Sequence, residues 1–299
     1  MSRIFINAVL LALLSLIAAP AWAGTGRVGP VTVHCPDSVA RGQAFVLRLT
    51  SDVEVPPVTV RWLGRETPAA LLPAAGGGFE AEVLLGWGLR LEDPTNTLEV
   101  EVPTPDRMER FAKAVAVEER EFPEEHLQVA SQYTSPSPEQ QARIDAERVR
   151  IIAALETVTP DRLWELPFTR PVPGPVTSVF GLRRFFNGEE RSPHTGLDLD
   201  GETGDPVTAC TFGRVILTGE FFYAGNAVYV DHGQGVISMY IHLSEILVSE
   251  GDTVTPGQLI GRVGATGRVT GSHLHVGVVI LKQGVDPQPF FGDQVIGME

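Results

Sequence analysis

Two histidines stand one residue apart in "GSHLHVGVVI", residues 271–280, at the start of an apolar, β-branched run. Alternate side chains of a strand point to the same face, so His273 and His275 look into the same space. Converging imidazoles of this kind serve a metal or a proton transfer. A second pair lies in "RSPHTGLDLD", where His194 and Asp198 are four residues apart. Gly196 between them argues against a helix, and in an extended segment the even interval puts both side chains on one face. Neutral imidazole and carboxylate are ligands that zinc takes at about 2.0–2.2 Å. If His275 completes a His, Asp, His set, the metal keeps an open coordination position, which catalytic zinc sites need and structural ones lack. One carboxylate would leave the centre with a net charge of about +1, able to polarise a carbonyl and acidify bound water.

His242 and His273 are then the unliganded pair. In "GVISMYIHL" the apolar residues Ile237, Met239, Ile241 and Leu243 are expected on the core face, leaving Ser238, Tyr240 and His242 on the other, with His242 turned into the groove. Two such imidazoles can deprotonate a water and stabilise a tetrahedral intermediate. Each fragment alone is a weak signal, since H-x-H and H-x3-D pairs arise by chance. The signal is their combination and order. His232, in "DHGQG", reads as a hairpin-turn residue without a catalytic role, and the isolated His34 and His126 as surface or core residues.

The elements that must position these residues follow from the pattern. From residue 30 to about 120 the hydrophobicity has period two, in "FVLRLT", "VTVRWL", "GFEAEVLLG", "TLEVEV" and "RFAKAVAVEER", which predicts an antiparallel sandwich of immunoglobulin-like type. "SPSPEQQARIDAERVRIIAALETV" then opens with Ser137 as N-cap, Pro138 at the first helical position and Gln140 closing a capping box, which predicts a helix over 138–156 bridging two domains. Ile144, Ile151, Ile152 and Leu155 are available to pack inward. Beyond Pro167 short β-like runs alternate with Pro- and Gly-rich turns, predicting a mostly antiparallel β domain that holds five of the seven histidines. The expected division is 1–23, 24–125, 126–166 and 167–299: a leader, the sandwich, a linker with its helix, and the histidine-bearing domain.

The leader is read from Arg3, the apolar run Ile4 to Ala19, and small residues Ala21 and Ala23 before a cut. The run is shorter than the roughly 20 residues a spanning helix needs, so a periplasmic or secreted product without stable membrane insertion is expected. The full chain carries a net charge of −14, and the leader takes away one further cation. With no basic stripe, nucleic acid is excluded as a serious partner. Cys35 and Cys210 both sit in strand-like runs and are read as unpaired buried thiols.

In order along the chain, "TSVFGLRR", "HTGLDL", "GDPVTACTFGRV", "VYVDHGQGVISMYIHL", "VSEGDTVTPGQLIGRVGATGRVTGSHLHVGV" and "VDPQPF" resemble the LytM or lysostaphin-type zinc metallo-endopeptidases, over residues 176 to 290. The resemblance implies that His194, Asp198 and His275 bind zinc and that His242 and His273 are catalytic. It also implies hydrolysis of peptide bonds in peptidoglycan cross-links or stem peptides, within a groove of a barrel-sandwich-like β domain. The N-terminal half looks like the accessory β domain of secreted relatives from bacteria with an outer membrane. One departure stands out. Some relatives carry a tyrosine shortly before the first ligand to stabilise the transition state, whereas this chain has "RRFFNGEERS", where Arg184, Asn187 or Arg191 are the candidates to replace it. Glu189 and Glu190 read as a solvated loop. The competing expectation is a non-catalytic module that binds peptidoglycan or activates a cell-wall amidase; members of that kind lack ligands, and this chain lacks none.

Overall fold

The computed structural model describes residues 24–90, 96–127, 136–292 and 294–297, so the leader expected over 1–23 lies outside the described residues. The fold is mainly β. In the N-terminal half, period-two alternation makes strands with one buried face. Val58–Trp62 and Thr97–Pro103 bury every second residue. Two antiparallel sheets result. One runs in the order Gly24–Val28, Val31–Cys35, Ala44–Ser51, Phe79–Gly86, Leu72–Pro73, and the other Met108–Ala114, Thr97–Pro103, Val58–Trp62, Arg65–Ala69. They face each other across Phe45 and Trp62, whose ring centroids lie 5.5 Å apart edge to face. The run "RFAKAVAVEER" divides into Met108–Ala114 and a short strand Ala116–Glu118, which pairs in parallel with Ser38–Ala40.

The helix spans Pro138–Leu155 and begins with the expected capping box, Ser137 Oγ accepting from the Gln140 backbone and the Gln140 side chain accepting from the Ser137 backbone. It packs through Ile151, Ala154 and Leu155 on Leu217, Phe221 and Tyr229 of the C-terminal sheet. Ile152, expected to point inward, is 40% exposed instead: helical geometry turns it about 100° from Ile151, off the contact stripe. Cys35 and Cys210 are free and buried, and burial pushes the Cys210 thiol up to about 12.

The C-terminal half is antiparallel within itself. Its large sheet runs Val176–Ser178, Leu197–Asp200, His273–Ile280, Val236–Leu243, Gly225–Asp231, Gly213–Phe221, Thr253–Val254, with Gln283–Val285 also on the His273 strand. A smaller sheet, Pro206–Thr208, Leu259–Arg262, Glu245–Ile246, packs with it around Leu199, Val207, Tyr240 and Ile260. The two halves touch directly. The Val46 N–H donates to Ile296 O at 2.8 Å, the Asp286 N–H donates to Gly42 O at 2.7 Å, and Arg120 pairs with Asp286 at 3.0 Å. The strand Glu124–Leu127 pairs in parallel with Arg183–Phe186, which brings the chain leaving the sandwich to the edge of the histidine-bearing half. Among the described residues no helix is long and apolar enough to cross a membrane.

Candidate metal centre

The centre of the large sheet carries the site. In the antiparallel register Asp198 stands opposite His275, and Asp200 opposite His273, so the Leu197–Asp200 and His273–Ile280 strands deliver a carboxylate and two imidazoles to one place. His194 arrives differently from the extended placement expected. It precedes the strand, held by its N–H to Leu182 O at 2.9 Å and by its own carbonyl accepting from Gly181 N–H at 2.8 Å. Its Nδ1 lies 2.8 Å from Val179 O and 3.2 Å from Ser178 Oγ. A carbonyl only accepts, so Nδ1 carries the hydrogen and Nε2 presents its lone pair inward.

Three atoms then form a nearly equilateral triangle. His194 Nε2 is 2.9 Å from Asp198 Oδ1 and 2.9 Å from His275 Nδ1, and His275 Nδ1 is 2.8 Å from Asp198 Oδ1. All three residues are buried. Hydrogen bonds cannot satisfy this triangle. A proton on His275 Nδ1 can serve one edge, but the His194 lone pair still faces a carboxylate oxygen, acceptor against acceptor. A divalent cation satisfies all three donors at once, and two imidazoles with one carboxylate are an acceptable zinc set, so these residues could hold a metal ion. Burial would raise the Asp198 pKa, but the adjoining His194 and His275 imidazoles outweigh it and hold the carboxyl well below the usual range. Burial lowers the His275 pKa, keeping the ring neutral as a ligand must be.

The other two histidines border the triangle. His273 Nε2 is 3.7 Å from Asp198 Oδ1, and its Nδ1 is 3.0 Å from Gly271 O. The His242 ring centroid lies 5.1 Å from that of His273 and 6.2 Å from that of His275. His242 Nδ1 donates to Thr266 O at 2.9 Å, which leaves Nε2 as an acceptor. Burial, aided by the neighbouring His275 and His273 and opposed by the Thr266 bond, lowers the His242 pKa to about 4. His242 also has φ of +67°, an unfavourable conformation for a residue with a Cβ.

The face expected for His242 needs correction. Ser238 and Tyr240 are wholly buried, and Met239 and Ile241 are the half-exposed members, lying under the helix. The inner face is the polar one because its hydroxyls are satisfied. Tyr240 accepts from Cys210 N–H at 2.8 Å and pairs with Ser238 at 3.0 Å, and Ser238 meets His232 Nε2 at 2.7 Å. His242 is buried at the end of this face, and the local register shift opposite Asn226 and Val228 turns it to the triangle. His232 is fully buried but stands outside the cluster, as do His34 and His126. Glu189 and Glu190 pair with Arg191 and Arg183.

Two supporting roles were not read from the sequence. Ser178 touches His194, and Gly196 makes room for His275: a Cβ at position 196 would lie 2.4 Å from His275 Nε2 and 2.6 Å from Val276 O. The glycine between the His194 and Asp198 positions was the available signal.

Residues 192–287 match the model of peptidase family M23. The crystal structure of a Pseudomonas aeruginosa protein described as a peptidase M23 superposes with a TM-score of 0.62 and 32% identity, covering 83% of this chain and 93% of that one. The chain belongs to peptidase family M23. It is 42% identical over 106 residues to peptidoglycan DD-endopeptidase ShyA of Vibrio cholerae, covering 35% of this chain and 25% of that protein. It is 40% identical over 112 residues to the DD-carboxypeptidase/endopeptidase Mpg of Neisseria meningitidis, covering 38% of this chain and 26% of that protein. The matched segment thus spans about a quarter of each of these two relatives.

Proposed function

We propose that this chain is an exported zinc metallo-endopeptidase that hydrolyses peptide bonds in peptidoglycan stem peptides or cross-links. The observation that carries the reading is the triangle of His194, Asp198 and His275 with two further imidazoles on its border, in a chain of family M23. His194, Asp198 and His275 would hold the zinc. When bound, the metal supplies a Lewis acid that polarises the scissile carbonyl and lowers the pKa of water. His242, neutral because it is buried and fixed in one tautomer by Thr266, receives a proton at Nε2. His273, on the same face, hydrogen-bonds the developing oxyanion or passes a proton to the leaving amine. The buried triangle keeps bulk water away from the ligands.

Residues 1–23 act as a signal peptide that delivers the protein to the periplasm or beyond. Residues 24–125 form an accessory domain, 126–166 a linker, and 167–299 the peptidase. Mass spectrometry of purified peptidoglycan incubated with the mature protein, with and without a chelator, tests this. Chelator-sensitive release of shortened or uncrosslinked stem peptides is expected. Release only when an amidase is added, from a protein without zinc, would instead establish the activator.

A further inference from the structure

The border of the ligand triangle carries an arginine, Arg184, whose carboxylate neighbours all stand beyond the distance of a charge-assisted bond. Successive side chains of the Arg183–Phe186 strand take opposite faces. Arg183 is saturated by Glu190 at 2.9 Å and by Glu124. Arg184 is not. Its Nη2 stands 3.6 Å from Asp198 Oδ2 and 3.3 Å from Ser178 Oγ, and its Nε is 3.8 Å from Glu125 Oε2. These separations exceed the roughly 2.7–2.9 Å of a charge-assisted bond. The Nε is buried and makes no hydrogen bond. Asp198 shares its Oδ1 between His194 and His275, and its Oδ2 meets Arg184 only at the longer distance.

Two more guanidinium groups share this field. Arg191 is tied to Arg184 by its N–H donating to Arg184 O at 2.8 Å. Its Nη2 meets the exposed Glu189 at 2.7 Å, while its Nε is buried without a partner. Arg268 lies 4.5 Å from the Tyr223 ring centroid and, among the described residues, has no carboxylate partner. Burial lowers the Arg268 pKa, Tyr223 opposes this, and the charges of Arg184 and Arg191 lower it further. In a chain of net charge −14, Arg184, whose carboxylate neighbours stand at 3.6 and 3.8 Å, has charge to offer an anion from outside.

The planar guanidinium fork matches a carboxylate. Arg184 reaches the edge of the ligand triangle itself, so the carboxylate it can take lies close to the bond being cut. We propose that Arg184 binds a carboxylate on the amine-side residue of the scissile bond, one carbon beyond the scissile nitrogen. A C-terminal dipeptide has this feature, and so does a cross-link through the amino group of a diamino acid that keeps its own carboxylate. An ordinary bond within a linear chain does not. The inference rests on the peptidase reading and names the substrates of that same site.

The test uses zinc-loaded full-length protein and two matched pairs: a stem peptide ending in D-alanyl-D-alanine against its C-terminal amide, and a cross-linked dimer with its amine-side carboxylate free against amidated. Wild-type kcat/KM should favour the free acid by about 10- to 100-fold, mainly through KM. The two pairs show which carboxylate source is read. Arg184→Ala should bring the ratio to within about twofold, Arg184→Lys should keep part of it, and Arg183→Ala, on the opposite face, should leave it unchanged. A calorimetric titration of chelator-treated protein should show binding of the acid but not the amide, lost in Arg184→Ala at unchanged melting temperature. Equal cleavage of acid and amide by the wild type, or preference retained in Arg184→Ala, overturns this proposal and leaves the peptidase intact. Binding of the acid through Arg184 without cleavage of either pair overturns the peptidase and supports the carboxylate site.

Discussion

Gly196→Ala probes the site without removing any candidate ligand. Gly196 does not have positive φ, so alanine meets no backbone penalty there and the effect is steric. The added Cβ would stand 2.4 Å from His275 Nε2 and 2.6 Å from Val276 O, where ordinary contact begins at 3.4 Å, leaving shortfalls of 1.0 and 0.8 Å. The Val276 carbonyl is backbone in a strand paired on both sides, so it yields little, and the imidazole must move. Overpacking of this kind costs about 1–3 kcal/mol of stability. The effect on the site is larger, since metal ligands tolerate about 0.2 Å and a displacement near 1 Å removes His275 from the set. Metal content after dialysis against buffered zinc should fall by at least about tenfold in occupancy ratio, and peptidoglycan cleavage by about 100-fold or more. Elemental analysis, a melting curve and a cleavage assay on one preparation measure all three. A folded variant that keeps one equivalent of zinc and cleaves within twofold of wild type would refute the steric reasoning and the placement of His275.

Other perturbations separate the roles. His242→Ala and His273→Ala should each lower kcat by about 10²–10⁴ while zinc content stays at one equivalent, read by elemental analysis beside the kinetics. Tyr240→Phe strands the Cys210 N–H, now paired at 2.8 Å, and should cost about 1–3 kcal/mol in urea unfolding with little change in metal content. His232 is fully buried with its pKa lowered to about 4, chiefly by burial. The unfolded chain therefore takes up this proton first as pH falls. The His232 contribution is fully present above about 6.5 and is lost progressively toward pH 4, at about 3 kcal/mol in all. An NMR titration should find this imidazole neutral at pH 5.5, and a midpoint near 6.5 would contradict its burial.

Most of the site was legible because strands make simple geometry. The H-x-H spacing put His273 and His275 on one face, and the cross-strand register then set Asp198 opposite His275. His194 was found through its spacing to Asp198, although the chain reaches that position by a bend pinned to Gly181 and Leu182, a tertiary contact no local pattern encodes. The orientation of the Val236–Leu243 strand was misread for a related reason. Alternation identifies two faces but not which is inner, and here a satisfied hydroxyl network lets the polar face be buried. Ile152 shows the same limit on the helix: it is apolar, but the contact stripe is narrow and falls on Ala154. The capping box of the helix was legible outright, being entirely local.

The most direct test of the account is a zinc titration of chelator-stripped protein, following bound metal and peptidoglycan cleavage together in wild type and Asp198→Ala. Cleavage in the wild type should rise with bound zinc and saturate at one equivalent, while Asp198→Ala should neither bind tightly nor cleave. Cleavage that is independent of zinc, or tight binding and full activity without Asp198, would contradict it.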